Sequence, residues 1–168
     1  MLLSKDKVLA YLPHRDPFMF LDNVHEVIVP EEKRGIKLTG PRDLVGTKVI
    51  ADFHVRPDLD VLKGHFPGNP ILPGVVLIEI MAQASAFVSL PLSDFDISGL
   101  NVETLLVTVT KAKFRKPVLP GMTLEIHTEM TQCRGQVATY QSEIFVDGDK
   151  TSEAEFMAKI IFKEVKNS

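Results

Sequence analysis

At 168 residues, with 45% apolar and 24% charged side chains, the chain can bury a substantial core and lacks the composition of a disordered segment. Its net charge of −3 gives no general attraction to nucleic acid or acidic lipid, so an acidic partner would have to meet a local basic patch. A single cysteine, Cys133, excludes an internal disulfide and suits a reducing cytoplasm; the five histidines show no metal-ligand spacing, and no metal site is expected.

The start of the chain breaks into charge at Lys5, Asp6 and Lys7 before any apolar run forms, so no signal peptide is expected. Ser4 is a suitable N-cap for a short helix through Tyr11, closed by Leu12-Pro13. His14 to Phe18 is turn-like, and Met19 to Val29 is expected as a first strand. Pro30 to Gly46 is charged and punctuated by Gly and Pro, which predicts loop with at most a short irregular strand. Val49 to Val55 alternates, placing Val49, Ala51, Phe53 and Val55 on one face.

Next comes the stretch around which the chain is organised. Three prolines and three glycines fall between Gly64 and Gly74, so neither a helix nor a ladder strand can pass through. A helix then starts at Pro73-Gly74, where a proline costs no hydrogen bond, and ends near Leu90-Pro91. From Val75 to Val88 it is apolar around its whole circumference, which predicts burial in the core. It falls short of the roughly 20 apolar residues that a membrane span requires, and no membrane insertion is expected.

Ser93 to Glu103 is a polar connection, and from there the period is two. Strands are predicted over Leu105 to Phe114, Thr123 to Cys133, Val137 to Val146 and Thr151 to Lys163, with Asp147-Gly148 as a hairpin turn. One apolar helix and five or six antiparallel strands, each with one apolar face, predict a single α+β domain over residues 1–168. The sheet would curl around the helix.

Glu79 is the only ionisable residue between Lys63 and Asp94 apart from His65. A carboxylate buried without a partner costs several kcal/mol, on the order of a whole domain's stability margin, so Glu79 needs a hydrogen-bonded partner or a function. Gln83, one turn on, could orient it. A second feature is the run Lys111, Lys113, Arg115 and Lys116, four cations in six residues. Such a run either protects a strand edge from aggregation or docks an acidic partner. Cys133, at a strand end without an adjacent motif, is expected to be inert.

The segment Gly64-His65-Phe66-Pro67-Gly68, followed by Pro73-Gly74 and by Glu79 with Met81-Ala82-Gln83, resembles the signature of the beta-hydroxyacyl-acyl carrier protein dehydratases, and more narrowly the FabZ type. The fourteen-residue step from His65 to Glu79 is its most specific part. The resemblance extends to Leu12-Pro13-His14-Arg15-Asp16-Pro17-Phe18, to Lys111 through Gly121, and to Glu153-Ala154-Glu155-Phe156-Met157. It implies a hot-dog fold that pairs sheet edge to sheet edge as a homodimer, with a trimer of dimers as a further assembly. It also implies dehydration of a 3-hydroxyacyl chain carried by an acyl carrier protein in fatty acid synthesis. No cofactor is expected, since no Gly-rich phosphate loop follows a strand.

That reaction needs a base for the C2 proton, an acid for the departing C3 hydroxyl and a donor to the thioester oxygen. Imidazole titrates near working pH, so His65 suits the base. Glu79 suits the acid, because burial disfavours its charged form. The Gly74 N–H, in the first helical turn, suits the oxyanion donor. The resemblance implies the same roles, with Gln83 supporting the acid and His65 of one subunit facing Glu79 of the other. His14 and Arg15 are expected to fix the N-terminal turn.

Two features depart from the FabZ pattern: Asn69 stands where a second histidine is common, and the segment from Pro30 to Val55 is long. Arg56-Pro57-Asp58-Leu59 looks a little like the FabA type, which also isomerises, but that type carries Asp where this chain has Glu79. The alternatives are a dehydratase of a specialised acyl pathway, such as polyketide or aryl-polyene assembly, and a non-catalytic acyl- or carrier-binding protein.

Overall fold

Residue-by-residue alternation of apolar and polar side chains builds six strands: β1 (Asn23–Ile28), β2 (Lys48–His54), β3 (Asn101–Phe114), β4 (Thr123–Arg134), β5 (Val137–Val146) and β6 (Asp149–Lys163). They are seen in a computed structural model that describes residues 1–98 and 101–163. All pairings are antiparallel, and the sheet runs β1-β2-β4-β5-β6-β3. The β5–β6 hairpin turns at Asp147 and Gly148, with φ of 52° and 82°, the two left-handed residues that a two-residue hairpin favours.

The concave face of the sheet carries the expected residues. Val49, Ala51 and Phe53 from β2, Leu124, Ile126 and Met130 from β4, and Phe156, Ala158 and Ile160 from β6 are all buried. They close on the central helix, α3 (Gly74–Ser85), which continues without a break as a 3-10 helix over Ala86–Ser93. Pro91 supplies no N–H there, which favours the tighter winding at this end. A short helix, α1 (Lys5–Tyr11), packs across it. The Tyr11 hydroxyl donates to the Ala86 carbonyl at 3.2 Å, and its ring stacks on Phe87 with centroids 4.8 Å apart. The hot-dog arrangement implied by the resemblance is therefore the architecture of the chain: one sheet curled around one apolar helix.

Several expectations need correction. The continuous helical run Gly74–Ser93 has 20 residues, long and apolar enough to cross a membrane, whereas the sequence reading left it short of that length. It is 78% buried inside the protein, as a core helix is. The first strand begins at Asn23 rather than Met19, because the backbone of Phe18 and Phe20 is bonded to a side chain of α3 instead of a neighbouring strand. Pro30 to Gly46 holds two 3-10 turns, Glu31–Lys33 and Pro41–Leu44, and no strand among the described residues. A five-residue helix, α2 (Asp60–Gly64), precedes the glycine- and proline-rich loop and was not anticipated. Glu103 lies in β3, not in a connection. Part of that expected connection, residues 99 and 100, lies outside the described residues.

The helix is also not covered on every side. Val75 is 75% exposed, and Ile78 and Glu79, three and four residues on, are only partly covered. These positions share one helix face, so a single chain leaves a stripe of its core helix open.

Candidate active site

The loop between α2 and α3 fixes His65 from its own backbone. Phe66 and Asn69 exchange N–H to carbonyl hydrogen bonds of 3.2 and 2.9 Å, the Ile71 N–H returns to the His65 carbonyl at 2.8 Å, and Leu72 is tied to Val118 at 2.8 Å. Gly68 turns the loop with φ of 78°, a conformation glycine adopts without a Cβ penalty. The His65 imidazole lies against Phe66 and places Nδ1 2.8 Å from the Ile71 carbonyl oxygen. A carbonyl only accepts, so Nδ1 carries the proton and the neutral ring keeps a lone pair on Nε2. That is the form in which a histidine takes a proton.

At the start of α3, Val76 and Leu77 donate back to the Pro73 carbonyl, while the Gly74 N–H, two positions before Val76, has no backbone acceptor among the described residues. Gly74 also sits under the Phe114 ring of β3, where a Cβ would come within 2.8 Å of ring carbons. The glycine thus lets an aromatic ring approach the helix N-terminus, whose free N–H groups and dipole favour negative charge.

Glu79 lies one turn further along. Gln83 donates its side-chain N–H to Glu79 Oε1 at 2.9 Å, as the i+4 spacing suggested. It also donates to the Phe18 carbonyl at 2.9 Å, and its own oxygen accepts from the Phe20 N–H at 3.1 Å. Glu79 has a further neighbour that was not anticipated: His14 Nε2 stands 3.3 Å from Oε1. His14 had been assigned to fixing the N-terminal turn. The Leu12–Phe18 block that carries it was visible in the sequence, but a separation of 65 residues says nothing about contact with Glu79. The carboxylate is therefore not buried among apolar groups alone; its side chain is 22% exposed and held by two polar partners.

Among the described residues no hydrogen bond or ion pair joins His65 to Glu79. Each is oriented by its own neighbours.

The basic run on β3 is not a bare positive patch. Lys111 faces Glu155 at 3.6 Å, Lys113 and Arg115 face Glu153 at 3.7 and 2.7 Å, and Lys116 pairs with Asp149 at 2.6 Å. Strand β6 thus lays a row of carboxylates opposite the cations, and hydrogen bonds, with the nearby positive charges adding to them, hold the Glu153, Glu155 and Asp149 carboxyls below the usual range. In Glu153 and Glu155 hydrogen bonding is the leading cause, from Lys150 and from Thr110 respectively. Reversing Arg115 to Glu should lower Tm by placing like charges across the strands, and adding Glu153→Arg should restore most of the loss in thermal melts. A reversal that leaves Tm unchanged would show that the ladder does not contribute.

Cys133 is half-buried, and desolvation pushes its thiol up, which disfavours the thiolate. Among the described residues no group of three or more His, Cys, Asp or Glu is placed to hold a metal ion.

Residues 12–155 match the family model described as a FabA-like domain. The chain is 36% identical over 154 residues to the 3-hydroxyacyl-[acyl-carrier-protein] dehydratase FabZ of Erythrobacter litoralis, covering 92% of this chain and 90% of that protein. It is 37% identical over 165 residues to the enzyme of the same name from Nitratiruptor, covering 96% and 100%. Among solved structures, the dehydratase heterocomplex ApeI:P from Xenorhabdus doucetiae superposes with a TM-score of 0.65 at 19% identity, over 90% of this chain and 89% of that one. The E. coli PaaI protein does so with a TM-score of 0.51 at 17% identity, over 70% and 75%. At those identities the structural likeness speaks for the hot-dog fold alone, while the sequence matches carry the kinship: the chain belongs to the FabA-like family, among its FabZ-type 3-hydroxyacyl-[acyl-carrier-protein] dehydratases.

Proposed function

We propose that the chain is an enzyme that removes water from a 3-hydroxyacyl chain on an acyl carrier protein, giving the trans-2-enoyl thioester in fatty acid synthesis. The observation that carries this reading is the preparation of His65 and Glu79 for opposite proton transfers. The first has its Nε2 lone pair free and its Nδ1 committed to Ile71, and the second is held by Gln83 at the open face of the core helix. His65 Nε2 takes the proton from C2. The C2–H electrons become the C2–C3 double bond, and the C3–O bond breaks with its electrons on oxygen. Glu79 protonates that oxygen, so water leaves. The Gly74 N–H stabilises charge on the thioester oxygen. No cofactor is required, because every proton and electron pair is accounted for by substrate and side chains.

The site is completed by a second copy. The β1 edge of the sheet is partly capped by the Leu3–Val24 bridge, whereas among the described residues β3 pairs only with β6 and offers its other edge. On it Leu105, Leu106, Val107 and Val109 are exposed, as are Phe114, Phe66 and Val75 beside the site. An open edge with this much apolar surface calls for a partner. Pairing of β3 with β3 of another copy would cover it and extend the sheet across the dimer. His65 of one subunit would then face Glu79 of the other, with the open stripe of α3 as the wall of an acyl tunnel.

The direct test is hydration of a crotonyl thioester, the reverse reaction, followed by loss of the enoyl absorbance, together with dehydration of 3-hydroxyacyl chains of graded length on carrier protein. Turnover of both without added metal or nucleotide supports the reading. Binding of acyl carrier without turnover would leave a binding protein instead.

A further inference from the structure

The acid has a side chain behind it that the reaction as written does not use. We infer that His14 is a positioning residue: it stays a neutral Nε2–H donor to Glu79 Oε1 and thereby keeps the acid's proton on Oε2. The inference rests on Glu79 being the acid.

The chain of hydrogen bonds begins in the backbone. The Phe20 N–H needs an acceptor and the Phe18 carbonyl needs a donor, and Gln83 serves both, at 3.1 and 2.9 Å. This fixes which end of the Gln83 amide is oxygen. Its N–H2 group must therefore face Glu79, and Oε1 accepts from it at 2.9 Å.

His14 approaches the same oxygen from the turn that follows α1. The turn is held by Arg15, whose guanidinium donates to the Leu12 and His14 carbonyls at 2.8 and 2.6 Å. His14 Nε2 is 3.3 Å from Oε1, and its other nitrogen, Nδ1, is buried and has no hydrogen-bond partner among the described residues. A proton on Nδ1 would be a buried donor with nothing to receive it, a rarer arrangement in folded proteins than an unmet acceptor. The imidazolium would suffer the same fault with a charge added. The neutral form with its proton on Nε2 is the one that fits, with Nε2 3.3 Å from Oε1.

Glu79 Oε1 thus accepts from Gln83 and has His14 Nε2 3.3 Å away. A proton on it would confront both, so a protonated Glu79 carries its hydrogen on Oε2, the oxygen left for the substrate hydroxyl. After the transfer, the same two donors hold the carboxylate in place for the next cycle. His14 never exchanges a proton with substrate in this scheme.

The wild-type homo-oligomer labelled with 15N-histidine tests the tautomer directly, the His14 signal being assigned by its loss in His14→Gln. Two-bond 1H–15N correlation at the assay pH should show a neutral ring protonated on Nε2. An imidazolium pattern, or a proton on Nδ1, overturns the inference whatever the variants do. In kinetics, His14→Phe should lower kcat about tenfold to a hundredfold with little change in KM, the loss of one hydrogen bond to a charged group. His14→Gln, which can still present an N–H near the Nε2 position, should recover most of it. Equal losses in both variants, or none in His14→Phe, would likewise overturn it. Failure of the acid assignment is distinguishable, since it would appear as retained activity in Glu79→Gln, whereas failure of this inference leaves Glu79→Gln inactive and His14→Phe active.

Discussion

His65→Ala and Glu79→Gln should each lower kcat for dehydration by about 10²- to 10⁴-fold, the range in which a positioned acid or base contributes, while Tm stays near wild type. His65 lies in a loop whose turn is closed by backbone bonds between Phe66 and Asn69 and between Ile71 and His65, so removing its ring costs one hydrogen bond to the Ile71 carbonyl and leaves the loop closed. In Glu79→Gln the amide oxygen can still accept from Gln83 and His14, and no unpaired charge is created. A large fall in Tm for the latter would instead mark Glu79 as part of a structural ion pair, and full activity in either variant would remove that residue from the mechanism. The two inactive proteins also report on where the pair is formed. After mixing and subunit exchange, half the dimers are mixed and each has one intact site out of two, so activity should return to about a quarter of wild type. No recovery, with exchange confirmed by mass spectrometry, would mean that each subunit carries a complete site.

Leu105→Lys combined with Val107→Lys should abolish both the dimer and the activity. The two positions are i and i+2 on the open strand β3, at 52% and 57% exposure, so in the single chain the lysines remain in water and the fold survives. In a symmetric dimer joined along β3 each substitution occurs twice, and four ammonium groups must be desolvated or crowded against one another. At roughly 1–2 kcal/mol for each one even when partly hydrated, association would weaken by about 10³-fold or more. Analytical ultracentrifugation should show monomer at concentrations where the wild type is dimeric, with an unchanged circular dichroism spectrum and no dehydration. A variant that remains dimeric and active would place the interface elsewhere.

The strands and the central helix were legible in the sequence because each is written in a local period. Val49, Ala51 and Phe53 alternate, Leu124 and Ile126 alternate, and Asp147-Gly148 can hardly be anything but a hairpin turn, so the concave face and the β5–β6 register follow from side chains two residues apart. His65, Gly74, Glu79 and Gln83 could be put forward from the sequence as candidates for the chemistry, since an ionisable group in an apolar run must be accounted for. The spacing even supplied the Gln83–Glu79 bond, because i and i+4 are neighbours on any helix.

Contacts between distant segments are not written in a period, and they came only from the tertiary structure. The first strand starts late because Gln83 takes the backbone of Phe18 and Phe20, 65 and 63 residues away in the chain. The basic run on β3 reads as a bare patch until the register with β6 places Glu153 and Glu155 opposite it. A run of apolar residues predicts burial but cannot say which chain provides it; only the folded chain shows Val75 exposed and Ile78 and Glu79 partly covered along one face of the helix. His14 is the clearest case. The sequence placed it in a turn, and the tertiary fold set its ring 3.3 Å from Glu79, because side-chain chemistry is local but proximity is decided by the path of the whole chain.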